Sequence, residues 1–163
     1  NPHDALNDPQ ASAAVLQAHV DEGLKLAKRH RLPRQIADFI PEHQGTLKMG
    51  FFLHRARERN AEVDENLFRY HGPSPRSRET AILMMADGCE AALRSLPPDT
   101  SDAQAIDTVR RIVESRLLDG QLRKSGLGRA EVELVQQAFV RVWRRMRHRR
   151  IPYPIPARPR SSG

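Results

Sequence analysis

The sequence predicts an all-α protein, and three observations carry that reading. No stretch alternates apolar and polar residues as a half-buried strand does. Apolar residues recur instead at three- and four-residue steps in long blocks. Proline and glycine separate those blocks, at Pro33, Gly45, Gly72-Pro73 and Pro97-Pro98. The 163 residues suffice for one domain around a single sizeable core. Aromatic residues are only 5% of the chain, so that core must be built from Leu, Ile, Val, Ala and Met.

Residues 1–10 hold two prolines and several Asn/Asp residues, which is loop chemistry. Ser12 is placed to cap a first helix over 12–29, with Leu16, Val20, Leu24 and Ala27 as its apolar stripe. Pro33 opens a short helix over 33–42, with Ile36, Phe39 and Ile40 inward and a bend at Pro41 just before His43. After Gly45 a third helix is expected over 46–59, apolar early (Leu47, Met49, Phe51, Phe52, Leu53) and charged late. A short acidic segment, 64–70, leads into a rigid Pro-rich loop, 71–77. The strongest helix spans 77–96: Ser77 with Glu79 or Thr80 supplies a cap, and Ile82 to Ala86 is continuously apolar. Pro97-Pro98 ends it. Two amphipathic helices follow, over 101–118 and 129–148. Four prolines between 152 and 159 exclude further helix, so the chain divides into a domain, 1–148, and a basic Pro-rich tail, 149–163.

The formal charge is +7, but eight arginines and no acid lie between 141 and 160, and subtracting those eight leaves −1 for the rest. The body is nearly neutral, which argues against a nucleic-acid-binding domain. The single cysteine, Cys89, excludes an internal disulfide and lies in an apolar helical run, as a core residue does. No run approaches the length of a membrane span. The sequence begins at Asn1 without a methionine, which is expected of a piece of a longer chain.

Three residues stand out chemically. Asp87 lies in AILMMADGCEAAL, with Leu83, Met84 and Ala91 one turn away. A buried ionised carboxylate needs a partner, so Asp87 is expected to pair with arginine, accept hydrogen bonds or bind a metal. His19 borders the stripe of the first helix, and His43 ends a short helix, where an imidazole also suits the helix dipole. Taken singly, each has an ordinary structural explanation. Taken together, two histidines and a carboxylate on three separate helices form a donor set suited to a divalent metal. His30, His54, His71 and His148 read as solvated or structural. The adjacent His3-Asp4 pair imitates a metal-bridging doublet, but a Pro-flanked loop with no helix before it fixes no geometry.

These residues fall in six collinear stretches: NPHD (1–4), HVDEGLKLAKRHRLP (19–33), DFIPEHQGT (38–46), FRYHGPSPRSRETAILMMADGCEAALRSL (68–96), DGQL (119–122) and HRRIPYP (148–154). In them the chain resembles the cytoplasmic HD domain of the seven-transmembrane HD phosphodiesterases, which hydrolyse cyclic di-AMP in bacteria. The resemblance implies an HD-type helical bundle, here incomplete at its N-terminus, and a site for two divalent ions, Mn or Fe. His19, His43 and Asp87 match family ligands. Upstream, the family has a further histidine and a His-Asp doublet that this sequence lacks, and its NPHD stretch lies after the true doublet. The family's second histidine of a His-His pair is Gln44 here, a poorer ligand that offers a carbonyl oxygen. The implied reaction is two-metal hydrolysis of a 3′–5′ phosphodiester of the cyclic dinucleotide to the linear form. Arg76 and Arg78, just before the Asp87 helix, are candidate phosphate contacts, with surface solvation as the alternative.

The resemblance further implies a parent protein at the cytoplasmic face of the bacterial inner membrane. This chain, itself soluble, would then pair with upstream HD helices and be inactive alone; a homodimer is compatible. Two other readings stay open. Gln44 suits a non-catalytic cyclic-dinucleotide sensor, and the 141–160 arginines suit a module binding RNA or anionic lipid.

Overall fold

A computed structural model describes residues 8–148, and the side chains up to Met146. The helices in order are α1 (Pro9–Arg29), α2 (Arg34–Ala37), α3 (Phe39–Glu42), α4 (Gly50–Arg59), α5 (Arg78–Arg94), α6 (Asp102–Leu118) and α7 (Arg129–His148), with a 3-10 turn at Glu65–Phe68. No strand forms among the described residues; the one β feature is an isolated antiparallel bridge between Lys48 and Arg69. The expected all-α class holds. The His3-Asp4 pair and the 149–163 tail lie outside the described residues.

Local chemistry explains the helix ends. Asp8, rather than Ser12, caps α1: its carboxylate accepts from the Gln10 and Ala11 amides, and Pro9 stands at the first turn, where no N–H is needed. Ser12 instead is buried and donates its hydroxyl to Asp8 O. At α5 the Ser77 hydroxyl accepts from Thr80 N while Thr80 Oγ1 accepts from Ser77 N, a reciprocal capping box. Ser101 and Gln104 repeat the device at α6.

Two corrections follow from long-range pairing. The helix expected from 46 begins only at Gly50, because Met49 N donates to Phe68 O and Tyr70 N donates to Leu47 O. The backbone of 46–49 is thus engaged sideways, and Leu47 and Met49 reach the core from an extended segment. The single helix expected over 33–42 is two single turns, and Ile36 is 54% exposed rather than inward.

The side chains bury in two groups. Ala81, Met84, Met85, Cys89, Val109, Val113, Val132 and Val140 pack α5, α6 and α7 together. Ala13, Met49, Leu53 and Phe68 join α1, α4 and the 3-10 turn. The segment 39–46 runs along the seam, with α3 packed against both α1 and α5. Met85 is fully buried, and truncating such a side chain to alanine costs about 2–5 kcal/mol.

Cys89 belongs to the first group, as its sequence setting implied. Burial pushes its thiol up to about 11, only partly opposed by the Arg116 charge. Its thiolate is therefore scarce at neutral pH. In the folded protein Cys89 is expected to resist an aromatic disulfide reagent at pH 8 and to react fully once the chain is unfolded in guanidinium. Rapid labelling of the native protein would contradict its placement.

Candidate functional site

His19 and His43 converge at the seam. His43 is the residue after α3, and its Nδ1 donates to Ile40 O at 2.6 Å, with Phe39 O at 3.2 Å. His19 lies on α1, with Nδ1 bonded to Leu16 O. Both rings are thus tied on one nitrogen to main-chain carbonyls, which leaves Nε2 of each as the lone-pair atom. That is how a metal-binding imidazole is oriented. The ring centroids are 5.5 Å apart.

Tyr70 is the third member, and sequence reasoning missed it. Its ring meets His19 edge-on at 5.9 Å. Burial, then the negative charge of Asp87, pushes its phenol above the usual range. Tyr70 therefore touches His19 and lies within electrostatic reach of Asp87. A lone tyrosine in a polar stretch carries no signal in one dimension; the Tyr70 N to Leu47 O bond brings it here.

Asp87 corrects an expectation: it is exposed, not buried. α5 buries Ala81, Met84, Met85 and Cys89, whereas Leu83, Asp87 and Glu90, spaced at three and four residues, form an exposed face. Among the described residues, no group of three or more His, Cys, Asp or Glu side chains is placed to hold a metal ion. The structure unites His19 with His43 and Tyr70 and leaves Asp87 within electrostatic reach of Tyr70, without gathering a complete coordination sphere. Gln44 is half-buried in the turn after His43, its main-chain carbonyl accepting from Leu47 N.

The strongest polar feature near the site is Glu42, the residue before His43 and only 1% exposed. Its carboxylate accepts from Arg76 Nε at 2.7 Å, Arg76 N at 2.8 Å and Thr80 Oγ1 at 2.7 Å. Burial alone would raise its pKa; the Arg76 amide, the Thr80 hydroxyl and the Arg76 guanidinium outweigh that and hold it below the usual range. Glu42 fastens the His43 turn to the start of α5. A second clasp lies across the turn, where buried Gln121 accepts from Thr46 N and donates to Thr46 Oγ1 and Asp119.

Arg76 also pairs with Asp38, and Arg78 pairs with Glu131. Both arginines expected at phosphate are engaged in ion pairs within the fold, and the geometry favours a structural role for them. His30, His54 and His71 are exposed, His54 lying 3.7 Å from Glu58. The His148 side chain is outside the description.

An all-helical bundle with paired imidazoles at an interhelical seam defines the class, that of HD domains, and the comparisons specify which. No family model matches the sequence. A crystal structure of the HD domain of the Listeria monocytogenes phosphodiesterase PgpH, in complex with cyclic di-AMP, superposes with a TM-score of 0.86 at 31% identity, covering 94% of this chain and 71% of that one. A second structure of the same HD domain gives 0.82 at 29%, covering 90% and 67%. The chain belongs to the PgpH HD-domain family. It is 34% identical over 155 residues to the Bacillus subtilis cyclic-di-AMP phosphodiesterase PgpH, and 47% identical over 159 residues to an uncharacterised Synechocystis protein, slr0104. In each case 94% of this chain is covered, and it spans about a fifth of the length of these relatives (20% and 21%). Among the described residues no helix is long and apolar enough to cross a membrane.

Proposed function

We propose that this chain is the C-terminal part of a metal-dependent phosphodiesterase domain that opens cyclic di-AMP to its linear form. One observation carries the reading. His19 and His43 face one another with their Nδ1 atoms tied to carbonyls, in a fold whose solved relative holds cyclic di-AMP. On this reading His19 and His43 hold one divalent ion and Asp87 belongs to the second, with Gln44 beside His43 as a weak oxygen donor. The remaining ligands, a histidine and a His-Asp doublet, come from residues outside this sequence. The described side chains fit the ions to that extent: two oriented imidazoles and an exposed carboxylate, short of a full set.

When bound, the ions supply positive charge that stabilises the phosphoryl oxygens during in-line attack. The chain's own residues hold the geometry. The main-chain carbonyls of Leu16 and Ile40 fix the imidazole tautomers, and Glu42 anchors the turn that carries His43. Residues 1–148 form this domain part and 149–163 a basic tail. The parent protein lies at the cytoplasmic membrane face. Alone, the chain binds metal weakly and is inactive.

The test is cyclic di-AMP hydrolysis with Mn²⁺ or Fe²⁺ by the parent protein, upstream ligands in place. Turnover is expected, with loss of more than roughly a hundredfold in His19→Ala and Asp87→Ala, beyond what losing an outer-shell partner costs. No turnover by the intact protein, or turnover indifferent to Asp87→Ala, rejects the reading. The incomplete ligand set and Gln44 favour one alternative, a sensor that binds the dinucleotide without cutting it. Calorimetric binding with no product after hours would establish that instead.

A further inference from the structure

Arg116, on α6, makes no ion pair within 4.0 Å among the described residues. Its Nε is buried with no hydrogen-bond acceptor. Its side chain makes a single hydrogen bond among the described residues, from Nη1 to Ser115 Oγ at 2.9 Å. Asp119, three residues on, is already paired with Arg69 at 3.3 Å. The other half-buried arginines among the described residues are matched: Arg69 by Glu65 and Asp119, Arg144 by Asp102 at 2.7 Å. Leaving one cation unmatched in a desolvated setting is unfavourable unless something else neutralises it.

Its position indicates what does. The guanidinium rests on Gly88, the residue after Asp87. A Cβ on Gly88 would lie 2.7 Å from Arg116 Nη2 and 3.4 Å from Cζ. Glycine at 88 is therefore what lets the charge reach the α5 backbone at this point. Burial disfavours the Arg116 charge, and Cys89, Asp87 and Asp119 offset this only in part; Asp87 also acts on Tyr70. So Arg116 lies against the residue that follows the carboxylate which the proposed function assigns to metal. A cation there works against binding a divalent metal, and its benefit must come from a ligand that is negative overall.

We propose that Arg116 is the anion-selecting cation of this site, seated on Gly88 to attract the phosphodiester of the substrate. This rests on the phosphodiesterase reading for the identity of the anion. The site's preference for a phosphate-bearing ligand then comes from α6 rather than from the loop arginines before α5.

The test has two arms. Inorganic phosphate binding to the metal-free 163-residue chain, read by calorimetry at low and high salt, needs no turnover. Arg116→Met keeps the stem and removes the charge, and affinity is expected to fall roughly ten- to a hundredfold, as loss of a charged hydrogen bond would cause. Arg116→Lys should recover most of it, and Gly88→Ala, which displaces the guanidinium without discharging it, should fall between. In the parent protein Arg116→Met should raise KM for cyclic di-AMP by a similar factor, while Mn²⁺ affinity holds or improves. Unchanged phosphate affinity in Arg116→Met overturns the proposal. So does a parallel loss of melting temperature, phosphate affinity and Mn²⁺ affinity that Arg116→Lys fails to rescue, since that pattern marks a packing residue. If the intact parent protein fails to hydrolyse cyclic di-AMP, the enzymatic reading falls by itself, and the phosphate arm still decides Arg116.

Discussion

Glu42→Ala is expected to destabilise the fold by about 3 kcal/mol, the lower end of what removing one partner of a buried ion pair costs. For a domain of this size that is a melting temperature lower by roughly 6–12 °C. The lower end applies because Arg76 is 45% exposed in its side chain and regains water, whereas the Thr80 hydroxyl and the Arg76 amide lose an acceptor. Glu42→Gln tests the same clasp without a cavity. The carboxylate receives Arg76 Nε on one oxygen and both Arg76 N and Thr80 Oγ1 on the other. An amide must turn its NH₂ toward one of these donor sets, so Gln should also destabilise, by less. Thermal melts of both variants decide the point, and wild-type stability in Glu42→Ala would remove Glu42 from its assigned role.

The clasp also sets a pH dependence. The folded-state pKa of Glu42 lies below the ordinary value of 4.5. Its contribution is therefore fully present above pH 4.5 and is lost as pH falls through the depressed folded value. Wild type should lose stability over that acid window more steeply than Glu42→Gln. Denaturant midpoints between pH 7 and pH 3 measure the difference, and superimposable profiles would count against a charged clasp.

How much of this was visible in sequence depends on distance along the chain. The α5 cap was legible because Ser77 and Thr80 are three residues apart, and Pro97-Pro98 bounded the helix. The beginning of α4 was not, because Leu47 and Met49 answer to Tyr70 and Phe68, some twenty residues away. Glu42 gave no signal, its partners lying 34 and 38 residues on. Asp87 misled for a different reason. Apolar neighbours on both sides imply burial only when every face of a helix is covered, and α5 leaves the face of Leu83, Asp87 and Glu90 exposed. Residue type pointed to the histidines; only the fold shows that α1 and the turn after α3 bring them together.

The pair at 43–44 gives the sharpest functional prediction, because its two positions should respond in opposite directions. On the proposed metal reading, His43→Ala removes a ligand imidazole whose Nδ1 is fixed by Ile40 O. Divalent-metal affinity and hydrolysis in the parent protein should fall by more than the roughly 10- to 100-fold that an outer-shell change causes. Gln44→His should act the other way. Gln44 is half-buried in the same turn, and resemblance to the family puts an imidazole there. An imidazole nitrogen binds Mn or Fe more strongly than a carboxamide oxygen does. Gly45 follows at φ +53°, and a Cβ there would lie 2.6 Å from both Gln121 Oε1 and Met84 Cε. On the proposed metal reading the donor at 44 becomes an imidazole, and affinity should rise by about tenfold or more. Mn²⁺ titrations followed by electron paramagnetic resonance measure both variants. Equal affinities in wild type, His43→Ala and Gln44→His would show that the metal, if held at all, is held elsewhere. A gain in Gln44→His with unchanged turnover would instead identify the native glutamine as compatible with full activity, leaving His43 as the ligand that matters.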